Sequence, residues 1–342
     1  MLSSKAKRKR WHDMHCRKLQ HQQFKRSTQK KHHRHYHRRK HIPSNKLYIV
    51  APEQLSLSSN LNGTLDFFNQ AIDAVTSCSF NQTIYFDLSL VTAISPEVIM
   101  YIIAIIKNTK RLKSYRVQCT GNLPTDNTAK AYIEETGFYS YVSGLKQTRE
   151  KNHEKIQIAH GREADGLLAA KICDFVNVKS SGHARLKTKQ LYPIIIELMT
   201  NTNQHAYQGG TGIMNDNWYI YAESTANSVD FIFLDTGVGI PTTIRRNFAE
   251  QIGKYIVKDK NDAKFIASAL LGEFRSETGL EYRGKGLPGI YETAKIGYIK
   301  RLQIISGRGC CTVANAGDIR ENLLPSAFNG TLVKWSFPRV SA

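Results

Sequence analysis

Glu197-Leu-Met-Thr-Asn201-Thr-Asn-Gln-His205-Ala206 continues an apolar run, Leu191 to Met199, of helical length. Glu197, Asn201 and His205 stand four residues apart. Four residues turn a helix through about 400°, so the three follow one face with a drift of about 40° per step. A carboxylate one turn from a carboxamide suits a hydrolytic metal site. The carboxylate can orient or deprotonate water, and the amide oxygen is a hard ligand for Mg²⁺. Toward the C-terminus, Val229-Asp-Phe-Ile-Phe-Leu234 alternates and is rich in aromatic residues, which predicts a buried strand ending at Asp235. It runs into Asp235-Thr-Gly237-Val-Gly239-Ile240-Pro241. An Asp at a strand end followed by two glycines leaves a carboxylate facing a pocket floored by bare backbone. Such a carboxylate can accept a hydrogen bond from an exocyclic amine such as that of adenine.

A third segment, Arg283-Gly284-Lys285-Gly286-Leu287-Pro288-Gly289-Ile290, is glycine-rich and leads into a predicted helix over Gly289 to Lys295. Backbone amides at a helix start, with Lys285 beside them, bind phosphate well. Taken singly, each segment has an ordinary explanation: a solvated polar helix face, a turn, a glycine loop without the strand context of a dinucleotide fingerprint. In this order, with Gly330-Thr331 before a final strand, they read together as one ATP site.

The set resembles the GHKL superfamily of ATP-binding proteins, which includes gyrase, chaperones of the ninety-kilodalton heat-shock class, histidine kinases and the mismatch-repair MutL proteins. The resemblance implies an α/β sandwich with helices on a mixed sheet. It makes Glu197 the general base, Asn201 the Mg²⁺ ligand and Asp235 the acceptor for the adenine amine. Thr331 supports that Asp. Gly237, Gly239, Ile240, Arg283, Gly284, Lys285, Gly286, Leu287 and Gly289 line the nucleotide and flank a mobile lid. His205 falls where related kinases often hold a basic residue near phosphate. The lid would run from about Pro241 to Arg283 and carries Arg245, Arg246, Lys254, Lys258, Lys260, Lys264 and Arg275. Of these cations a solvated helical surface accounts for most, and Arg283 and Lys285 are the candidates for triphosphate contact.

The 342 residues suffice for two domains with their own cores. The formal charge of +20 is unevenly placed: residues 1–46 hold 16 Lys or Arg against the single acid Asp13, and eight of the 12 His. The remaining chain is close to balanced. Stretches such as Lys5-Ala-Lys-Arg-Lys-Arg10 carry too little apolar surface to fold alone, so 1–46 reads as a disordered basic tail. It has the composition of a phosphate-backbone clamp for nonspecific nucleic acid. Contact with anionic lipid or an acidic protein, and a merely solubilising arm, stay open beside it. The six Cys, at 16, 78, 119, 173, 310 and 311, show no paired spacing. The longest apolar run, Val98 to Ile106, is too short for a bilayer. Without an export-type leader, a reduced cytoplasmic protein with no membrane span is expected.

Between tail and ATP domain, residues 47–145 alternate strands and helices. Leu47–Val50, Thr83–Leu88 and Arg116–Thr120 read as strands. Leu65–Val75, Pro96–Lys110 and Ala129–Glu135 read as helices, the second with Pro96 at a favourable first-turn position. That is a small α/β layer domain. With Phe86-Asp-Leu-Ser-Leu-Val91 and Val117-Gln-Cys-Thr-Gly-Asn-Leu-Pro124, it resembles a STAS domain, the fold of anti-sigma-factor antagonists. Regulatory members present Asp-Ser at the start of the long helix, and the Ser is phosphorylated. Here Ser95-Pro96 stands in that place, so the standard acceptor is missing and the resemblance implies docking or sensing. A short helix is expected at Asp165–Phe175, and residues 146–342 form the GHKL-like domain.

The expected activity is therefore that of a Mg-ATP-binding regulatory protein with a protein partner, either hydrolysing ATP or passing its γ-phosphate to Ser, Thr or His of a protein. The alternative is a non-catalytic switch in which ATP occupancy controls a partner or nucleic acid held by the tail. Two architectures fit poorly. No phosphoacceptor His with a dimerising helix pair precedes Glu197, His183 lacking the usual acidic and Pro neighbours. No transducer domain of the gyrase or MutL kind follows Thr331.

Overall fold

The nine consecutive apolar residues Val98 to Ile106 are all buried, and where they lie organises the molecule. A helix that is apolar all round has to be covered on every side. The computed structural model describes residues 45–79, 81–112, 117–142, 153–179, 185–206, 217–247, 261–274, 286–314 and 317–339. In it, this run forms most of helix α2 (Pro96–Leu112), packed between two sheets. On one side lies a three-stranded parallel sheet, β1 (Lys46–Val50), β3 (Thr83–Asp87) and β5 (Gln118–Gly121), ordered β1-β3-β5. Helix α1 (Leu61–Ser77) shares the layer with α2 and turns Leu65, Phe68, Ile72 and Val75 inward. Its start is set by Asn60, whose Oδ1 accepts from the amide of Gly63 at 3.2 Å. A short parallel pair, β2 (Gln54–Leu55) with β4 (Ala93–Ile94), and helices α3 (Asn127–Glu135) and α4 (Phe138–Val142) complete this half. Asp126 caps α3 by accepting from the Ala129 amide at 2.8 Å. The Ser95 hydroxyl donates to the Leu55 carbonyl at 3.4 Å.

On the other side of α2 lies a five-stranded sheet: β6 (Lys155–Gly161), β7 (Trp218–Ser224), β8 (Ser228–Asp235), β9 (Lys300–Val313) and β10 (Ile319–Pro338). Its order is β6-β7-β8-β10-β9. The expectation of a mixed sheet needs correction here, because every pairing in it is antiparallel. The cause is local. β7 and β8 are joined by a tight turn in which the Ser228 amide donates to Thr225 Oγ1 at 3.1 Å, and such a turn forces antiparallel neighbours.

Alternation along each strand divides the residues between two cores. Trp218, Ile220, Phe231, Phe233, Val333 and Trp335 face a layer formed by α5 (Gly166–Lys179), α6 (Arg185–Ala206), α8 (Asp262–Leu270) and α9 (Gly286–Lys295). Tyr219, Tyr221, Ile232, Leu234 and Leu332 face α1 and α2. The layers thus run helices, sheet, helices, sheet, a mixed α/β architecture, and Lys46–Ala342 form one compact unit. Among the described residues no helix is long and apolar enough to cross a membrane. Residues 1–44, which include nearly all of the basic tail, lie outside the described residues.

Candidate nucleotide site

Helix α6 carries the first segment, with Glu197 and Asn201 half-buried one turn apart. The helix starts earlier than the apolar run suggested and ends at Ala206, so His205 belongs to it; the His205 side chain lies outside what the structure describes. Helix α9 begins at Gly286 and lies against α6. A Cβ built on Gly286 would stand 2.4 Å from Cγ of Glu197, closer than any side chain tolerates. Only glycine admits this approach, and it brings the first and third segments together. Leu287 packs on the helical core, and the Gly289 carbonyl accepts from Thr293 Oγ1 at 2.7 Å. Arg283, Gly284 and Lys285 lie outside the described residues.

The second segment sits where β8 ends. In register, Asp235 stands between Trp218 of β7 and Thr331 of β10. Its Oδ1 accepts from the Gly237 amide at 2.8 Å. Burial pushes its pKa up to about 6, against the pull of hydrogen bonds from Gly237 and Thr331. The residue is half-buried by surface exposure, while its carboxylate is crowded by protein atoms. A desolvated carboxylate with spare acceptor capacity, held beside a hydroxyl, is equipped to recognise a planar donor such as an amino-purine edge. Thr331 hydrogen-bonds the Asp235 carboxylate.

Ser306 of β9, which the sequence gave no cause to select, ties the second segment to Gly330. Its hydroxyl donates to the Gly330 carbonyl at 2.8 Å and accepts from the Ile240 amide at 3.0 Å. Its Oγ also lies against the buried Gly239. Ile240 in turn opens helix α7 (Ile240–Asn247). A lone Ser in a long strand carries no motif; only the strand pairing shows what it touches.

The stretch expected to act as a lid is corrected in part. Within it, α8 buries Ala263, Ile266, Ala267 and Leu270 in the helical core, and Ile244 of α7 is buried as well. A helix with four core contacts belongs to the scaffold. Arg245 pairs with Asp262 and lies over the Phe265 ring at 4.8 Å, so this cation is held by the scaffold. Arg246 is exposed and Lys264 half-buried. Lys254, Lys258, Lys260 and Arg275 lie outside the described residues.

An open cavity of about 1040 Å³ lies at this end of the sheet, lined by His160, Arg162, Asp165, Tyr192, Asn217 and Trp218 among others. None of the residues selected from the sequence lines it. It adjoins them through Trp218, the cross-strand neighbour of Asp235, and through Asn217, whose carbonyl accepts from the Thr236 amide at 3.3 Å.

Among the described residues no three His, Cys, Asp or Glu cluster in a way that could hold a metal ion. Mg²⁺ rarely needs such a cage, since it keeps several waters and binds through one or two protein oxygens plus substrate phosphates. Asn201, half-buried one turn below Glu197, fits that mode. Comparison with protein-family models finds no match, and comparison with curated proteins finds none either.

Proposed function

We propose that this chain is a Mg-ATP-binding regulatory protein of GHKL type that hydrolyses ATP or transfers its γ-phosphate to a protein, with residues 47–145 as a STAS-like docking module. The observations that support the proposal are two approaches between residues distant in sequence: the third segment meets the first, and Asp235 of the second is bonded by Thr331. Gly286 at the head of α9 abuts Glu197, while Asp235 is bonded by Gly237 and Thr331 at the end of the same sheet. A five-stranded sheet with α5, α6, α8 and α9 packed on one face, and Asp235 at the end of one of its strands, supports the GHKL assignment; its all-antiparallel pairing is a departure from the mixed sheet of that family. Parallel strands with helices between them support the STAS-like one.

In this proposal Asp235 accepts from the adenine amine, and the head of α9 offers amides to the phosphates. Asn201 would hold Mg²⁺, whose contribution is to neutralise phosphate charge. Glu197 takes the proton from the attacking water or hydroxyl as it bonds to the γ-phosphorus and ADP departs. A carboxylate is not required for nucleotide binding alone, which favours catalysis over occupancy.

The test follows γ-labelled ATP with Mg²⁺ on the wild-type chain and on Glu197→Gln. We expect label in free phosphate or on protein, reduced about 10²-fold or more in the variant, as for loss of a general base. Label in free phosphate marks an ATPase and label on protein a kinase. ATP bound but unchanged in both would select the occupancy switch, and a wild-type chain that does not bind ATP would overturn the proposal.

A further inference from the structure

The pairing of β9 with β10 is interrupted beside the site. Phe328 faces Gly307 and Thr331 faces Ser306, so Asn329 and Gly330 are extra residues, bulged out of the ladder. A bulge re-aims the strand that follows and takes its own backbone groups out of regular pairing. Both bulge carbonyls are bonded by hydroxyls. Ser306 donates to the Gly330 carbonyl at 2.8 Å, from within the same sheet. The Asn329 carbonyl accepts from Tyr101 at 3.1 Å, and Tyr101 comes from α2, 228 residues earlier, in the layer behind the sheet.

Tyr101 is 1 % exposed, with its ring against Phe68 (centroids 4.1 Å) and Phe328 (4.9 Å). Burial raises its pKa, so the phenol remains a donor. One residue beyond the bonded carbonyl, Gly330 has φ +120°, and a Cβ there would fall 2.2 Å from the Asp235 carbonyl oxygen. The next residue is Thr331, which bonds the Asp235 side chain. We infer that Tyr101 is a positioning residue for the nucleotide site: it holds the Asn329–Gly330 bulge from behind, so that Thr331 is presented to Asp235. The inference rests on the ATP proposal above. Its consequence is that residues 47–145 share the nucleotide's binding energy, and linkage makes the coupling reciprocal.

Tyr101→Phe keeps the ring and deletes one hydroxyl. We expect ATP and ADP to bind more weakly by the same factor, about three- to tenfold, the scale of one lost hydrogen bond. Turnover at saturating ATP should be unchanged, because the phosphate end is untouched. The low-pH limb of ATP affinity should move upward from about pH 6, since a loosened Thr331 no longer favours ionised Asp235. Phe68→Leu, which disturbs the same aromatic cluster but keeps the hydroxyl, should lower Tm and leave that limb in place.

Hydrogen exchange on the wild-type chain is the second measurement, and it stands even if a variant folds poorly. ATP should slow exchange in α2 around Tyr101 as well as in β10, whereas protection confined to β10 would count against the inference. If wild type binds ATP and Tyr101→Phe matches it in affinity and pH dependence, the inference is overturned and the ATP proposal stands. If wild type does not bind ATP, both fall.

Discussion

Under the ATP proposal, Asp235 sets a binding role against stability at a single residue. Its folded-state pKa of about 6 lies above the ordinary value of 3.8, with burial the largest cause. Between about pH 4 and 6 the folded chain therefore holds a proton that the unfolded chain has released. Stability falls as pH rises through this window, and the deficit, at most about 3 kcal/mol, persists above it. Asp235→Asn removes the titration at nearly constant volume. We expect the variant to be more stable than wild type at pH 7, by about 1–3 kcal/mol in denaturant unfolding. It should also lose most of its affinity for ATP. A variant less stable than wild type at pH 7 would show that the Gly237 and Thr331 hydrogen bonds outweigh the cost of burying the charge.

At the scale of elements, the site depends on how closely α9 approaches α6. Any side chain at Gly286 would meet Glu197 at its Cγ, 2.4 Å away, and at its Cβ, 3.2 Å away. Neither atom is the free end of a flexible chain, so Gly286→Ala has to push Glu197 aside or part the helices. Alanine also favours helix by up to about 1 kcal/mol over glycine. We expect turnover to fall at least about tenfold, the usual sensitivity to a misplaced catalytic group, while Tm shifts little. Turnover at the wild-type level would mean that Glu197 does not need this contact.

Across the whole molecule, the layer of α1 and α2 is bolted to the back of the five-stranded sheet by buried polar contacts as well as apolar ones. Lys334 of β10 pairs with Glu97 at the head of α2 at 2.9 Å, and the Glu97 side chain is 1 % exposed. Its second oxygen has no hydrogen-bond partner among the described residues. Nearby, Lys155 bridges Glu135 of α3 (2.6 Å) and Glu223 of β7 (3.1 Å), and the Tyr132 hydroxyl donates to Glu223 at 2.9 Å. Removing one partner of a buried pair strands a charge. Lys334→Met should therefore destabilise by about 3 kcal/mol, and adding Glu97→Gln should restore most of the loss. Denaturant midpoints of the two variants measure this, and a double variant no more stable than Lys334→Met would sink the explanation. The shared core also predicts one unfolding transition for residues 46–339, since neither half has a back face of its own to expose.

What was legible in the chain by itself was whatever depends on near neighbours. The alternation in Val229–Leu234 marked β8, Pro96 marked the start of α2, and the apolar run Leu191–Met199 marked the middle of α6. The three segments carrying Glu197, Asp235 and Gly286 could be named because their residue types make chemical sense over a few positions. Tertiary structure alone decided which residues meet. An apolar run such as Val98–Ile106 calls for cover on every side but does not say which sheets supply it. A Ser in a strand reads the same whether it points to solvent or, like Ser306, joins two glycine segments. The bulge at Asn329–Gly330 has no local signature, because register is a property of two strands. Part of the expected lid proved to be core for the same reason: the apolar side of α8 matters only once β9 lies beneath it. Local physics proposes elements and candidate chemistry; long-range packing chooses the partners, and the site exists only where those partners converge.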